Sequence, residues 1–389
     1  MQRERQRLAG GYFFYFATIG LFVPFWPPYL AARGLDPVEI GLVMGLVSAM
    51  RIVGPPVYAH WADVTGRRLA LLKAASILAF GCALSFPWLH SMASMAVVLA
   101  CYSIAWNGVM SVYDAHVLDR LGADAGRYGL LRLWGSVGFI VVAMFAGRVL
   151  DAVGLARLPL MLALFVGLTW ASMLGLEAGA ARDPVRAPRV RLAPTLADPR
   201  VRAFLAIAFL MIASHGAYYN FFSIYLAEHG YGRTAIGLLW AWAATAEISV
   251  FVLGARLLGR FSLRGLTMVA LGATGLRWLA LALFPGLPWV VFASQTLHLA
   301  SFGLFHLCAV NIARLLFPAG AVARGQALYG SVGYGLGGMA GALASGWLWS
   351  ATSPQTAFLA SAVTVLAALA LAVPGLRGLP DTRRKVQNA

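Results

Sequence analysis

The sequence predicts an all-α membrane protein in which twelve transmembrane helices form two pseudo-symmetric six-helix bundles. The first observation is composition: of 389 residues, 60% are hydrophobic and 11% are charged, whereas a soluble domain has roughly 25% charged residues. The second is length, because apolar runs of the ~20 residues needed to cross a bilayer recur from one end of the chain to the other. The third is an internal repeat.

Each long apolar run is interpreted as one transmembrane helix. The first run, Gly10 to Ala31, is too long and too aromatic for a cleavable signal, so we expect it to be retained as the first span. The twelve helices are expected at roughly 9–31, 38–61, 69–89, 93–117, 127–150, 156–177, 202–227, 234–257, 264–284, 288–312, 325–350 and 354–375.

The basic residues predict how the chain lies in the membrane. The formal net charge is +16, but no basic stripe with interleaved aromatics is visible, so no nucleic-acid partner is expected. With a cytoplasmic N-terminus, 23 basic residues lie on the cytoplasmic side, and only Arg33, Arg148, Arg157 and Arg233 lie opposite. By the positive-inside rule, this asymmetry predicts a multi-pass protein of the cell inner (cytoplasmic) membrane with both termini cytoplasmic.

The longest polar gap, rich in Arg, Pro and Ala, divides the chain into two halves. We expect an N-terminal six-helix bundle at 1–178, a cytoplasmic linker at 179–201, a C-terminal bundle at 202–376 and a cytoplasmic tail at 377–389. Positions 29–42 and 225–238 are identical at 7 of 14 aligned residues, at an offset of 196. Residues 135–138 and 330–333 both read Gly-Ser-Val-Gly, at an offset of 195. Such repeated halves are typical of secondary transporters that alternate access around a midplane site.

Small residues recur at every fourth position of the eleventh helix, at Gly333, Gly337, Gly341 and Ser345. This spacing lets helix backbones approach closely in lipid. It fits either an interface on which the two halves slide or static packing.

Six ionisable residues fall inside predicted helices, where a charge costs from ~2.5 to over 10 kcal/mol unless it faces a cavity or a partner. They are Arg51, Asp114, Arg132, Glu247, Arg277 and His298. Asp114 and Arg132 lie at matching depths on neighbouring helices, so they can form an ion pair, functional or only structural. Arg51 and Glu247 are related by the repeat and could merely close a gate, and His298 could be a hydrogen-bonded core histidine.

Glu and His are the side chains that burial or a nearby charge can bring to titration near neutral pH. We expect Glu247 to stay ionised near Arg277 and to take a proton when that arginine moves away or substrate arrives. Three intramembrane arginines against two acids leave a cationic interior, which favours an organic anion.

The chain resembles the major facilitator superfamily, and within it the branch of oligosaccharide:proton symporters and 3-phenylpropionate transporters. One motif is the loop after helix two, where the family has Gly-x-x-x-Asp-Arg/Lys-x-Gly-Arg-Arg. Asp63, Gly66, Arg67 and Arg68 match it, while Ala59 and Val64 depart. The resemblance implies a cytoplasmic gate at the four matching residues.

A second motif is the segment 129–138, which resembles the helix-five signature of the lactose-permease branch. There an arginine binds substrate together with a helix-four acid 18 positions earlier, the spacing of Asp114 and Arg132. The resemblance also implies proton coupling through Glu247, Arg277 and His298. One departure is Ser301, since the family's sugar symporter has a second acid three residues after the histidine.

Aromatic runs at 12–16 and 215–222, the latter containing Asn220, look most like the phenylpropionate-transporter side of the branch. Substrate binding is therefore assigned to Arg51, Asp114, Arg132 and Asn220. We expect proton-coupled uptake of a small (aromatic) organic acid by a monomer in contact with membrane lipid. The alternatives are a sugar or nucleoside symporter, a drug or metabolite efflux antiporter, and a non-transporting receptor or sensor.

Enzymatic activity is not expected, because the sequence has no metal-binding cluster, phosphate loop or nucleophile constellation. The three cysteines have no metal-ligand spacing either. No cofactor and no metal are therefore predicted.

Overall fold

The computed structural model describes residues 2–177 and 191–380. Within these residues the chain folds into helices joined by short connections, without β-strands. The α-helices are α1 Gln2–Ala32, α2 Pro37–Thr65, α3 Arg68–Ser85, α4 Met92–Leu121, α5 Tyr128–Val153, α6 Leu158–Leu174, α7 Ala193–Ala197, α8 Pro199–Ser214, α9 Gly216–Glu228, α10 Arg233–Arg260, α11 Leu263–Leu283, α12 Pro288–Thr296, α13 Phe305–Leu316, α14 Val322–Tyr329, α15 Gly338–Ala351 and α16 Pro354–Gly375.

Eleven helical segments of the described chain are long and apolar enough to cross a membrane. The predicted eleventh span is α14, a π-helix over Gly330–Gly337 and α15 in direct succession. A second π-helix, Leu299–Leu304, lies between α12 and α13 in the tenth span. The predicted all-α membrane fold with twelve spans is confirmed, with the eleventh and tenth spans each interrupted by a wider helical turn.

Local sequence accounts for many helix ends. Asp36 begins α2 with a capping box, because its carboxylate accepts from the Glu39 backbone N–H while Glu39 accepts from the Asp36 backbone N–H. Gly66 ends α2 with φ +63°, a left-handed conformation that favours glycine. The backbone conformation at this position therefore explains why the loop motif has a glycine there.

The start of α10 is capped from another helix. Position 232, which the repeat aligns with Asp36, is glycine. Asp151, near the end of α5, supplies the carboxylate: Oδ2 accepts from the Thr234 hydroxyl at 2.8 Å and backbone N–H at 3.3 Å, and Oδ1 accepts from Arg233 at 3.2 Å. The α5 backbone comes close to this turn because Gly147 has no Cβ, which would meet the Arg233 carbonyl.

The chain divides into two compact units. The first comprises Met1–Val185 with Gly230–Ala241, and the second Arg186–His229 with Trp242–Ala389, so α10 contributes its first turns to the first unit. The boundaries expected at 1–178, 179–201, 202–376 and 377–389 stay a prediction. Residues 178–190 of the linker and 381–389 of the tail lie outside the described residues.

Backbone-to-backbone packing holds each unit together. In the first unit α1 and α5 approach so closely that a Cβ at Gly138 would lie 2.1 Å from the Phe13 carbonyl oxygen. In the second unit a Cβ at Gly337 would lie 2.6 Å from the Phe209 carbonyl oxygen, and one at Gly341 would lie 2.3 Å from that of Ala213. The glycine stripe thus packs against α8 of its own unit, which favours the static-packing interpretation.

Candidate functional site

The first cluster of intramembrane polar groups centres on Asp114 of α4, in the first unit. Its Oδ1 accepts hydrogen bonds from the Tyr12 hydroxyl at 2.6 Å and the Tyr128 hydroxyl at 3.0 Å. Tyr12 is fully buried. The carboxylate is therefore held by two phenols from α1 and α5: Tyr12 lies in the aromatic run noted in the sequence, and Tyr128 was not singled out.

Arg132 of α5 lies beside this carboxylate at a longer distance, with Nε 4.0 Å from Asp114 Oδ1. Its guanidinium stacks over the rings of Phe16, at 4.4 Å, and Tyr12, at 5.4 Å. The structure thus contains the predicted pairing as a long ion pair. Because the phenols take the closest positions on Asp114, the guanidinium keeps donors that suit an incoming carboxylate.

Arg51 lies on α2 and its side chain is exposed. Tyr15 lies within electrostatic range of Arg51, Asp114 and Arg132. Asn220 belongs to the second unit, where its amide donates to the Gly216 carbonyl at 2.8 Å in its own helix. The substrate-binding roles assigned to Arg51, Asp114, Arg132 and Asn220 stay predictions.

The second cluster centres on Arg277 of α11, which is 0% exposed. Its guanidinium donates to His298 Nδ1 at 2.9 Å, Gln295 Oε1 at 3.0 Å and Ser301 Oγ at 3.1 Å. It lies 4.0 Å from the ring centroid of Tyr218, whose hydroxyl also donates to Gln295. Within the described residues its Nε has no hydrogen-bond partner. The hydrogen bonds that hold this buried cation thus come from acceptors without a formal negative charge.

The contact with Arg277 decides the histidine tautomer. A guanidinium has no acceptor, so His298 Nδ1 must accept and the neutral ring carries its hydrogen on Nε2. Nε2 lies 3.7 Å from Glu247 Oε2. Cation, imidazole and carboxylate therefore form one chain, and Glu247 is linked to Arg277 through His298 rather than by the direct proximity that the sequence analysis expected.

Room for Glu247 is made by a glycine on the facing helix. A Cβ at Gly303 would lie 2.9 Å from Glu247 Cγ, closer than such atoms normally approach. Gly303 lies in the π-helix Leu299–Leu304, and single π turns recur at functional sites in helices. The tenth span is thus locally shaped around the carboxylate.

The sequence analysis noted Tyr12 and Tyr218 as members of the aromatic runs 12–16 and 215–222, but not as partners of the charged residues, and it missed Tyr128 and Gln295. Gln295 carried one usable signal, because it precedes His298 by three residues and so shares its helix face. Tyr128 carried none, since aromatic residues in spans also face lipid or core.

The residues of the loop motif lie at the end of α2 and the start of α3. Arg68 pairs with Asp119 at 2.6 Å and more loosely with Asp63 at 3.7 Å. Gly66 provides the turn, and Arg67 is exposed directly before α3. The gating role of Asp63, Gly66, Arg67 and Arg68 stays a prediction. Across the described part of the chain, no group of three His, Cys, Asp or Glu residues could hold a metal ion.

A membrane fold of twelve spans, with ionisable residues inside the spans of each unit, defines a secondary transporter. The sequence profile described as "MFS_1 like family" matches residues 6–360. The chain therefore belongs to the major facilitator superfamily, as the resemblance predicted, and this is a family of transporters rather than enzymes.

Two curated relatives cover most of the chain. The protein named "Probable 3-phenylpropionic acid transporter" from Escherichia coli (strain K12) is 29% identical over 333 residues, which are 84% of this chain and 86% of the relative. The "Maltose permease" of Geobacillus stearothermophilus is 30% identical over 344 residues, 87% of this chain and 86% of the relative. A crystal structure of a mutant of the nucleoside transporter NupG shares the fold, with a TM-score of 0.87, 16% identity and coverage of 96% of this chain and 100% of that chain.

Proposed function

We propose that this protein is a proton-coupled importer of a small organic acid, aromatic in preference, working by alternating access. The observation that carries the proposal is the buried chain Arg277–His298–Glu247. It places a fixed cation, an imidazole and one carboxylate inside a membrane-spanning unit. Such residues in membrane helices mark substrate or ion pathways.

Charge balance gives the coupling its physical basis. With Glu247 ionised, its negative charge balances Arg277 within the second unit. Protonation removes that negative charge and leaves the arginine's positive charge, which acts strongly at low dielectric. A bound anion is then favoured, and by linkage a bound anion favours protonation.

The proposed anion site is Arg132, supported by its free donors and its aromatic neighbours Phe16 and Tyr12. Its planar guanidinium suits a carboxylate, and the rings suit a planar apolar body. The name of the Escherichia coli relative supports an aromatic acid.

The proposed setting is the inner membrane with both termini cytoplasmic, supported by the distribution of basic residues. We further propose that the protein works as a monomer with a small solute, protons and membrane lipid as its only partners. No cofactor is assigned to it.

The test is proton movement in proteoliposomes to which 3-phenylpropionate is added. Alkalinisation of a weakly buffered outside medium, together with uptake of the labelled acid, is expected for the wild type. Glu247→Gln should abolish both, whereas Glu228→Gln, an exposed glutamate at the end of α9, should leave them unchanged. Undiminished pH-driven uptake by Glu247→Gln would refute the proposed role of Glu247.

A second candidate is a proton symporter of sugars or nucleosides, favoured by the name of the maltose permease relative. Alkalinisation on adding maltose or uridine, but not the acid, would select it. Substrate-dependent acidification would select an efflux antiporter, and silence across all three solutes with folded protein would favour a receptor or sensor.

A further inference from the structure

A second polar cluster lies further along the tenth span. His306 Nδ1 is 3.3 Å from the hydroxyl of Tyr329 and 3.3 Å from that of Tyr334, and these two hydroxyls are 3.3 Å apart. Three polar atoms therefore form a triangle contributed by α13, α14 and the π-helix Gly330–Gly337. We call this group the His306 cluster.

The triangle suits an imidazole in either charge state. When His306 is neutral with Nδ1 unprotonated, one phenol donates to it and the other donates to the first phenol. When the ring is protonated, Nδ1 donates to a phenol oxygen, and phenol hydroxyls can rotate to accept it. The cluster can thus accept a proton without forcing two hydrogen-bond donors to point at each other.

Rings connect this cluster to the Glu247 site. The rings of His298 and Phe302 stack at 5.3 Å with planes 4° apart, and those of Phe302 and His306 stack at 6.3 Å with planes 6° apart. The two histidines are eight residues apart, and their rings lie on either side of the Phe302 ring. Phe302 fills the space between them and offers no proton carrier.

Among the described residues, Tyr219 of α9 is a titratable neighbour of the cluster: it packs 6.4 Å from Phe302 and lies within electrostatic range of Tyr329 and Tyr334. The charged groups near the other end of the ring stack are Arg277 of α11 and Glu247 of α10.

We propose that the His306 cluster is a second proton-holding site, through which the proton carried on Glu247 leaves toward the cytoplasm, and that Phe302 is the barrier between the two sites. This inference rests on the proposed proton coupling and orientation. In that orientation the tenth span runs inward, so His306 lies nearer the cytoplasmic end than His298.

The proton transfer needs only water in addition to these residues. When Phe302 moves aside, the O–H bond of protonated Glu247 breaks, its proton passes along bridging water, and an N–H bond forms at His306. The imidazolium then returns the proton to cytoplasmic water. No electron changes hands, and each step conserves charge.

The test compares His306→Gln with wild type and with His90→Gln, an exposed loop histidine. Proteoliposomes are assayed with labelled 3-phenylpropionate, or with maltose or uridine if the wild type accumulates those instead. Net uptake driven by a pH gradient should fall about tenfold or more in His306→Gln, the loss expected when a positioned proton carrier is removed. Exchange of labelled for unlabelled solute at equal pH should persist, because exchange does not require proton release.

Two further variants sharpen the result. Tyr329→Phe and Tyr334→Phe should each reduce net uptake less than His306→Gln, and Phe302→Ala should admit protons without solute. Equal loss of exchange and net uptake in His306→Gln would indicate a structural role and overturn the inference, as would wild-type coupling in that variant. A wild type that moves no proton with any of the solutes would instead overturn the proposed function on which the inference depends.

Discussion

Removing the Asp151 carboxylate should destabilise the first unit measurably. Asp151→Ala deletes Oδ2, which accepts from both the Thr234 N–H and the Thr234 hydroxyl, and it deletes the ion pair of Oδ1 with Arg233. Loss of a helix cap costs about 1 kcal/mol, and an exposed ion pair adds about 0.5 kcal/mol. Asp151→Asn keeps an acceptor oxygen for Thr234 and should cost about half as much.

The assay is thermal unfolding in detergent followed by the fluorescence of the 12 tryptophans. Asp151→Ala should lower the midpoint by about 2 °C, the shift expected for about 1.5 kcal/mol in a chain of this size. Asp36→Ala is the matched control, because it removes the self-contained cap of α2 at the repeat-related position. If Asp36→Ala lowers the midpoint while both Asp151 variants unfold like wild type, the carboxylate does not cap α10.

Three further predictions concern the two clusters and the start of α8. Gly303→Ala should push Glu247 from its place and reduce proton-coupled uptake about tenfold, while unfolding stays near wild type; unchanged uptake would contradict the contact. Arg132→Lys should raise the KM for 3-phenylpropionate about tenfold, because lysine cannot form a planar bidentate contact, and an unchanged KM would exclude this arginine from binding. Hydrogen bonds from Arg200 hold the pKa of Asp198 below its usual range, so the Asp198 cap on α8 is present above the unfolded-state pKa and should be lost only as the pH falls through the lower folded-state pKa. Hydrogen exchange at the first turn of α8 measures the loss of this cap, and loss already near pH 4 would contradict the prediction.

Much of the fold could be predicted because lipid imposes a simple rule. Each span must be about 20 apolar residues long, so hydropathy alone predicted twelve helices; the longest polar gap divided them into halves, and the repeat from Tyr29 to Tyr225 related the two halves to each other. The π-helices could not be predicted this way. Whether a backbone N–H donates to the carbonyl four residues earlier, as in an α-helix, or five residues earlier, as in a π-helix, depends on the neighbouring helices. Hydropathy does not distinguish the two.

The candidate site was predictable only in its charged members. Asp114, Arg132, Glu247, Arg277 and His298 stood out because charges are costly in membrane helices. Tyr12 and Tyr218 stood out only as members of aromatic runs, and Tyr128 and Gln295 did not stand out, since a tyrosine or glutamine in a span carries no comparable penalty.

The cap on α10 was hidden for a different reason. Asp151 and Thr234 are 83 positions apart, and the repeat predicts a cap at position 232, where the chain has glycine. Local cap signals are read within a few residues of a helix start, so a carboxylate supplied by another helix escapes them.

The serine at position 301 has an electrical consequence. Arg277 bonds to a neutral hydroxyl there, so among the described residues of this cluster Glu247 is the one carboxylate, and the proposed coupling would load one proton on it per cycle. A monoanion that enters with one proton moves no net charge across the bilayer, whereas each elementary charge moved is worth about 2.3 kcal/mol per 100 mV. Uptake of an organic acid should therefore follow the pH gradient and ignore membrane voltage. A neutral sugar carried by the same residues would depolarise the membrane, so a voltage-sensitive dye would distinguish the two solute classes.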